Sequence, residues 1–89
     1  MEVAIEFNSS AFKHGVSEED IRWAFDTARY DGWFNEGEEQ AKDRYLLIGF
    51  DRKGNPIEIL YNFINTDTIN VFHAMKCRSI YYYLIQKRD

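Results

Sequence analysis

Two apolar segments and a third, alternating segment, joined by very short turns, constrain the fold of this chain more than any other feature. Residues 44–51 and 56–65 are separated by only four residues, Arg-Lys-Gly-Asn, a spacing typical of a β-hairpin. Residues 65–67 form a second short turn before the third segment. Strands with such short connections pair antiparallel, so we predict a three-stranded C-terminal meander.

The third segment, which begins at Thr68, changes its periodicity along its length. Ile69, Val71, His73 and Met75 alternate with Phe72 and Ala74, which is the period of a strand. Beyond Lys76 the spacing is helical, with Ile80 and Leu84 four residues apart and Tyr81 and Ile85 likewise. We therefore predict a strand that leads directly into a helix. A regular strand would place His73 on the same face as Val71 and Met75, and Lys76 on the opposite face.

The N-terminal half predicts one strand and one helix. Val3, Ile5 and Phe7 alternate with polar or small residues, as in a short strand. Ser17 has the character of a helix N-cap, Asp20 completes a variant of the capping box, and apolar spacing extends the predicted helix to about Arg29. Tyr30, Trp33 and Phe34 are predicted apolar anchors, followed by an acidic loop over residues 35–40.

These elements predict a single α+β domain over residues 1–89. The order is β-α-β-β-β-α, with a small antiparallel sheet packed by helices. The chain has one cysteine, Cys77, which is expected to be a packed thiol and fits a reducing cytoplasm. We expect no membrane segment, no metal and no cofactor. Oligomeric state is not predicted.

Charge is distributed unevenly along the chain. Residues 1–50 carry eleven acidic residues against five Lys/Arg, and residues 51–89 carry four against six. The net charge of −4 argues against tight nonspecific binding of nucleic acid, which depends on many phosphate contacts. A small basic site is compatible with it, and the acidic half could receive a basic partner.

The predicted junction between the last strand and the last helix is such a basic site. His73, Lys76 and Arg78 fall within six residues, and the first turn of the helix adds backbone N–H groups that favour an anion. We therefore predict a phosphate site there. His73 can alternatively be a hydrogen-bonded core histidine, since it is predicted to lie on the strand face of Val71.

A phosphate site that contains a histidine is compatible with metal-independent RNA cleavage. This reaction needs a base for the ribose 2′-OH, an acid for the leaving oxygen and cations for the charge on phosphorus. His73 is the best candidate base or acid, and His14 or Tyr82 is the candidate second proton carrier. The candidate phosphate ligands are Arg78, Lys76 and Arg44. His14 can instead bond the local backbone, and Arg44 can instead pair with Asp43 or Glu58.

Three motifs in succession resemble the BrnT family of ribonuclease toxins from bacterial type II toxin–antitoxin systems. They are Lys-His-Gly-Val-Ser at 13–17, Arg-Tyr-Leu-Leu-Ile-Gly at 44–49 and Val-Phe-His-Ala-Met-Lys-Cys-Arg at 71–78. The resemblance implies a fold related to the RelE/ParE superfamily, an RNA substrate, a cognate antitoxin and no metal.

The resemblance also implies roles for individual residues. Lys13 and His14 match a basic N-terminal motif of the family. Arg44 matches a basic residue that opens the central hairpin. His73 and Arg78 match a variant of the last-strand motif. Tyr82 stands near the position of a helical tyrosine. Typical members have an arginine where this chain has Met75.

The leading hypothesis is therefore an endoribonuclease toxin that is neutralised by an antitoxin. A second hypothesis is a noncatalytic interaction module on the same scaffold, which the acidity and Met75 favour. A third is a toxin that acts by direct contact with a protein.

Overall fold

The computed structural model describes residues 3–34 and 44–86, which form a five-stranded mixed sheet with two short helices. The elements, in chain order, are β1 (Ala4–Phe7), α1 (Glu18–Asp26), β2 (Tyr30–Phe34), β3 (Arg44–Phe50), β4 (Pro56–Asn65), β5 (Thr68–Lys76) and α2 (Tyr82–Gln86). Short 3-10 turns at Ser9–Phe12 and Ser79–Tyr81 precede α1 and α2. The α+β class is confirmed, whereas the prediction of an antiparallel sheet in the order β-α-β-β-β-α is wrong, because β1 pairs in parallel and a further strand, β2, is present.

The strand order in the sheet is β1-β5-β4-β3-β2. Strands β3, β4 and β5 pair antiparallel with their chain neighbours, as the short turns predict, and β1 pairs in parallel with β5. Strand β2, antiparallel to β3, was not predicted, and Trp33 in it is exposed and not the anchor that was predicted. Its sequence Tyr-Asp-Gly-Trp-Phe contains Asp and Gly, which disfavour strands, so its pairing with β3 decides its conformation. The predicted acidic loop and Asp43 lie outside the described residues.

Two apolar clusters cover the two faces of the sheet. On the first face, α1 and the first 3-10 turn pack on side chains such as Leu47, Ile59 and Val71. On the second face, Leu84 and Cys77 pack with Leu46 and Ile48. The apolar character of β3 on both faces therefore has a direct structural cause, because each face is covered.

Helix α1 begins where its sequence predicts and ends earlier. Ser17 Oγ accepts a hydrogen bond from Asp20 N at 3.1 Å, which is the predicted N-cap. The helix ends at Asp26 and not at about Arg29, because the following residues bond to β3. Thr27 Oγ1 accepts from Phe50 N at 3.1 Å, and Arg29 N donates to Ile48 O at 2.8 Å.

A β-bulge at Phe72 changes the faces predicted for β5. Val71 pairs with Tyr61 and His73 with Leu60, so Phe72 has no partner on β4. The extra residue reverses the alternation. Val71 and Ala74 therefore share the α1 face, whereas His73 does not share a face with Val71, which corrects the prediction from regular spacing.

Candidate functional site

The candidate site lies at the bulged end of β5 and in the segment that follows it. Strand β5 does not lead directly into a helix as predicted, since two residues and the 3-10 turn Ser79–Tyr81 separate it from α2. Strand β1 ends at Phe7, opposite Val71, so the later part of β5 is not covered by β1. The chain instead crosses the edge of β5 as a 3-10 turn, in which Ser10 Oγ donates to Phe72 O at 2.6 Å. This crossing brings the residues that follow it, including His14, beside the end of β5.

A buried carboxylate, Glu58 on β4, organises the site. His73 Nε2 lies 3.0 Å from Glu58 Oε2, and Arg78 Nη2 donates to the same oxygen at 2.6 Å. Arg78 Nε and its backbone N–H also donate to Glu58 Oε1, at 3.1 and 3.0 Å. The Glu58 residue is 0% exposed, so both of its oxygens depend on these protein donors.

The hydrogen bonds to Glu58 outweigh the effect of its burial on its pKa. Burial acts to raise the pKa, and hydrogen bonds from His73 and Arg78 together with the guanidinium charge lower it to about 2. The hydrogen bond to Glu58 in turn raises the pKa of Arg78. Glu58 is therefore a carboxylate at neutral pH. The anion predicted for the strand-to-helix junction is thus supplied, in this structure, by the chain itself.

The two histidines are in direct contact. The rings of His14 and His73 meet edge to face, with centroids 5.6 Å apart. His14 is exposed and makes no hydrogen bond within the described part of the chain. Gly15 next to it has a φ of 85°, a left-handed conformation that glycine adopts readily, and so permits the sharp turn between the 3-10 turn and α1. The two histidine rings, one from each half of the chain, are thus brought together.

An open cavity of about 280 Å³, here called the turn cavity, adjoins His14. Its lining consists of His14, Val16, Asp51, Asn55, Pro56, Ile57 and Lys76. Lys76 is exposed and pairs with Ile57 in the sheet, whereas Met75 pairs with Glu58. Lys76 and Met75 therefore point to opposite faces, as predicted. Lys76 adds a cation on the His14 side of β5.

Three other predicted site residues lie apart from this cluster or add no contact to it. Arg44 is at the start of β3, whereas the residue of β3 that lies opposite Glu58 is Ile48. The four residues between Arg44 and Ile48 correspond to roughly 13 Å along the strand. Its guanidinium lies over the Phe34 ring at 5.9 Å, so the alternative pairing with Glu58 is not found. Tyr82 forms no hydrogen bond with His73 or Arg78. Lys13 precedes His14 in the sequence, and its side chain is exposed.

The sequence interpretation missed the central role of Glu58, which it considered only as a neighbour of Arg44. A signal was present, because Glu58 is an acid within the apolar run Ile-Glu-Ile-Leu that is buried on both faces. Buried acids are rare unless they are paired. The bulge that turns His73 towards Glu58 left no comparable pattern in the sequence.

Among the described residues, no group of three or more His, Cys, Asp and Glu side chains is placed to hold a metal ion. Cys77 is buried in the second cluster, and burial, with the nearby Glu58 charge, raises its thiol pKa to about 11. This is the opposite of the shift that activates a nucleophilic cysteine.

Comparison with protein-family models gave no match for this sequence, and comparison with curated proteins gave no significant match either. Within the described ranges, the helices are all too short or too polar to cross a membrane. The fold and the site define an α+β protein in which two histidines, an arginine and a buried glutamate form one cluster.

Proposed function

We propose that this protein is a metal-independent endoribonuclease and acts as the toxin of a type II toxin–antitoxin pair. The observation that carries the proposal is the contact between His14 and His73, with centroids 5.6 Å apart, flanked by the cations Lys76 and Arg78. Two adjacent imidazoles supply the base and the acid of RNA cleavage without a metal. The toxin role and the RelE-like fold rest on the three sequence motifs.

Glu58 sets the orientation of His73. As a carboxylate it only accepts hydrogen bonds, so the hydrogen on the His73 ring lies on Nε2, which faces Glu58 at 3.0 Å. Nδ1 of the neutral ring then keeps a lone pair that can take a proton. Glu58 is in this account a positioning residue and does not contact RNA.

The proposed reaction uses the substrate's own 2′-hydroxyl as the nucleophile. His73, as the neutral imidazole, takes the 2′-OH proton while the oxygen attacks phosphorus, and the P–O5′ bond breaks as His14, which starts the step as imidazolium, protonates the leaving oxygen. The products are a 2′,3′-cyclic phosphate and a 5′-hydroxyl. The cycle ends when the two imidazoles exchange the proton back through solvent.

Arg78 retains capacity for a phosphate although it is paired with Glu58. A guanidinium has five N–H donors on three nitrogens. In Arg78, Nε and Nη2 donate to Glu58, and Nη1 makes no hydrogen bond within the described residues. The side chain is also 49% exposed. Together with Lys76, Arg78 supplies positive charge at the edge of β5, near Met75, where typical members of the family have arginine.

A second candidate is the noncatalytic interaction module, which two observations favour. Glu58 already accepts hydrogen bonds from the backbone N–H, Nε and Nη2 of Arg78, as it would in a purely structural network. Exposed apolar side chains, among them Trp33, Phe63 and Ile64, also offer contact area for a partner such as an antitoxin. On this alternative, the histidine contact would have no chemical consequence.

The test is inducible expression in a bacterium, with growth and total RNA followed over time. His14→Ala is the informative variant, because His14 is exposed and its removal breaks no hydrogen bond within the described residues. Thr66→Ala, exposed in the β4–β5 turn at the other end of β5, is the control. We expect growth arrest with RNA fragmentation for the wild type and Thr66→Ala, and neither for His14→Ala.

Other outcomes would contradict this account in distinct ways. Healthy growth with intact RNA in the wild type would favour the interaction module. Growth arrest with intact RNA, unaffected by His14→Ala, would favour a toxin that acts by direct contact with a protein.

A further inference from the structure

The turn cavity next to His14 carries an inference that deepens, and rests on, the proposed function. Its volume of about 280 Å³ is slightly below the range usual for whole drug-sized ligands and fits a part of a ligand, such as one nucleobase. His14 lies both on this cavity and against His73. A base held there would belong to a nucleotide beside the cleaved phosphate.

The polar groups of the cavity are mainly acceptors, with one cation. Asp51 Oδ1 accepts from the backbone N–H groups of Lys53 and Asn55, at 3.0 and 2.8 Å. Asp51 Oδ2 accepts only a 3.3 Å bond from Asn55 Nδ2 within the described residues, so lone pairs remain on it. The Asn55 amide oxygen also has no donor there, and Lys76 supplies the cation.

The cavity wall is held in place before any ligand arrives. Arg52, next to Asp51, donates to Asp20 Oδ1 from its backbone N–H at 2.9 Å and from Nε at 2.8 Å. Asp20 is in the first turn of α1, so the turn that carries Asp51 is fixed to the helix. A fixed acceptor loses little entropy when it binds a base.

We propose that the turn cavity is a guanine subsite. Guanine presents two adjacent N–H donors, N1–H and the N2 amino group, which match the free acceptors of Asp51 and Asn55. Its O6 is an acceptor that matches the ammonium of Lys76. Val16 and Pro56 provide apolar walls for the ring.

The other bases are less complementary to this set. Adenine places the acceptor N1 where guanine has a donor, and cytosine places the acceptor N3 there, so each would face the Asp51 carboxylate with a lone pair. Uracil has one N–H between two carbonyl oxygens. Sites built from such hydrogen bonds discriminate strongly, because a mismatched base leaves their polar groups unpaired.

The first test measures binding, which does not depend on cleavage. Guanosine and adenosine monophosphates are titrated separately into the ¹⁵N-labelled full chain to about 10 mM, a concentration that detects millimolar dissociation constants. We expect shifts of the Asp51, Lys53 and Asn55 amides with guanosine monophosphate, at an affinity roughly tenfold above that of the adenosine nucleotide. Equal affinities, or no shifts at these amides, would overturn the subsite.

Two variants assign the preference to the cavity. Asp51→Asn keeps a side-chain acceptor for the turn but removes the carboxylate, and Asp67→Asn makes the same change in the exposed β4–β5 turn as a control. We expect Asp51→Asn to reduce the guanosine preference to near unity and Asp67→Asn to keep it. If Asp51→Asn unfolds, Lys76→Met is used, and it should lower the preference for the guanosine over the adenosine nucleotide several-fold. A preference that survives the folded variant would overturn the assignment.

Sequencing of the RNA ends produced by the wild type separates this inference from the proposed function. Cleavage with guanine enriched at one side of the cut supports both. Cleavage without any preference for guanine overturns the subsite and leaves the ribonuclease. Guanine-selective binding without RNA cleavage supports the subsite and contradicts the ribonuclease.

Discussion

Glu58 is the residue on which the local structure of the site depends. Its carboxylate takes hydrogen bonds from the His73 ring, the Arg78 guanidinium and the Arg78 backbone while fully buried. A buried ion pair adds little relative to a well-packed apolar group, but the loss of one partner leaves the other charge uncompensated. The substitution that removes only the charge of Glu58 is therefore informative.

Glu58→Gln is expected to lower the free energy of unfolding by about 2 kcal/mol, because the buried amide N–H groups of Gln would face the donors of His73 and Arg78 without an acceptor. Urea unfolding at neutral pH measures the change. Glu6→Gln, an exposed acid on β1, is the control and should change stability by less than about 0.5 kcal/mol. Equal effects of the two substitutions would contradict the central place of Glu58.

The lowered pKa of Glu58 predicts a specific dependence of stability on pH. Its pKa is about 2 in the folded protein against an ordinary 4.5, so the unfolded chain binds the proton first as the pH falls. This contribution to stability is fully present above about pH 4.5 and is lost as the pH falls from there towards 2. Urea unfolding at several pH values should show the gap between the wild type and Glu58→Gln narrowing over this range. A constant gap would contradict the shift.

At the scale of elements, the contact between α1 and β3 depends on a glycine. A Cβ added to Gly49 would collide with the backbone of Ala24 in α1, whereas a Cβ added to Gly32 on β2 would meet the end of the Tyr30 side chain, which can move. Gly49→Ala is therefore expected to destabilise the fold by about 2 kcal/mol, and Gly32→Ala by less. Thermal unfolding measures both. A larger loss for Gly32→Ala would contradict this packing.

Much of the element pattern could be predicted from the sequence because it is local. The N-cap of α1 and the meander of β3, β4 and β5 follow from side-chain type, period and turn length. Strand β2 depends on its pairing with β3. The bulge at Phe72 depends on a shift in register between β4 and β5. Both are nonlocal, so neither the extra strand nor the true face of His73 could be derived from spacing.

At the scale of the whole molecule, the site joins both halves of the chain. His14 comes from the turn before α1, Glu58 from the middle of β4, and His73 and Arg78 from β5 and the segment after it. The sequence motifs predicted His14, His73 and Arg78 as candidates, and the fold brings them together. It does not bring Arg44 to them, because strand direction places Arg44 at the far end of β3 from the residue opposite Glu58.

The most direct test of the central claim is the chemistry of the RNA ends. The purified protein is incubated with an oligoribonucleotide in excess chelator, and the products are analysed by mass spectrometry, with the 2′-deoxy version of the substrate as the control. We expect 2′,3′-cyclic phosphate and 5′-hydroxyl ends from the ribonucleotide and no cleavage of the deoxy substrate. Cleavage that needs a metal, products with 5′-phosphate ends, or an intact ribonucleotide would contradict it.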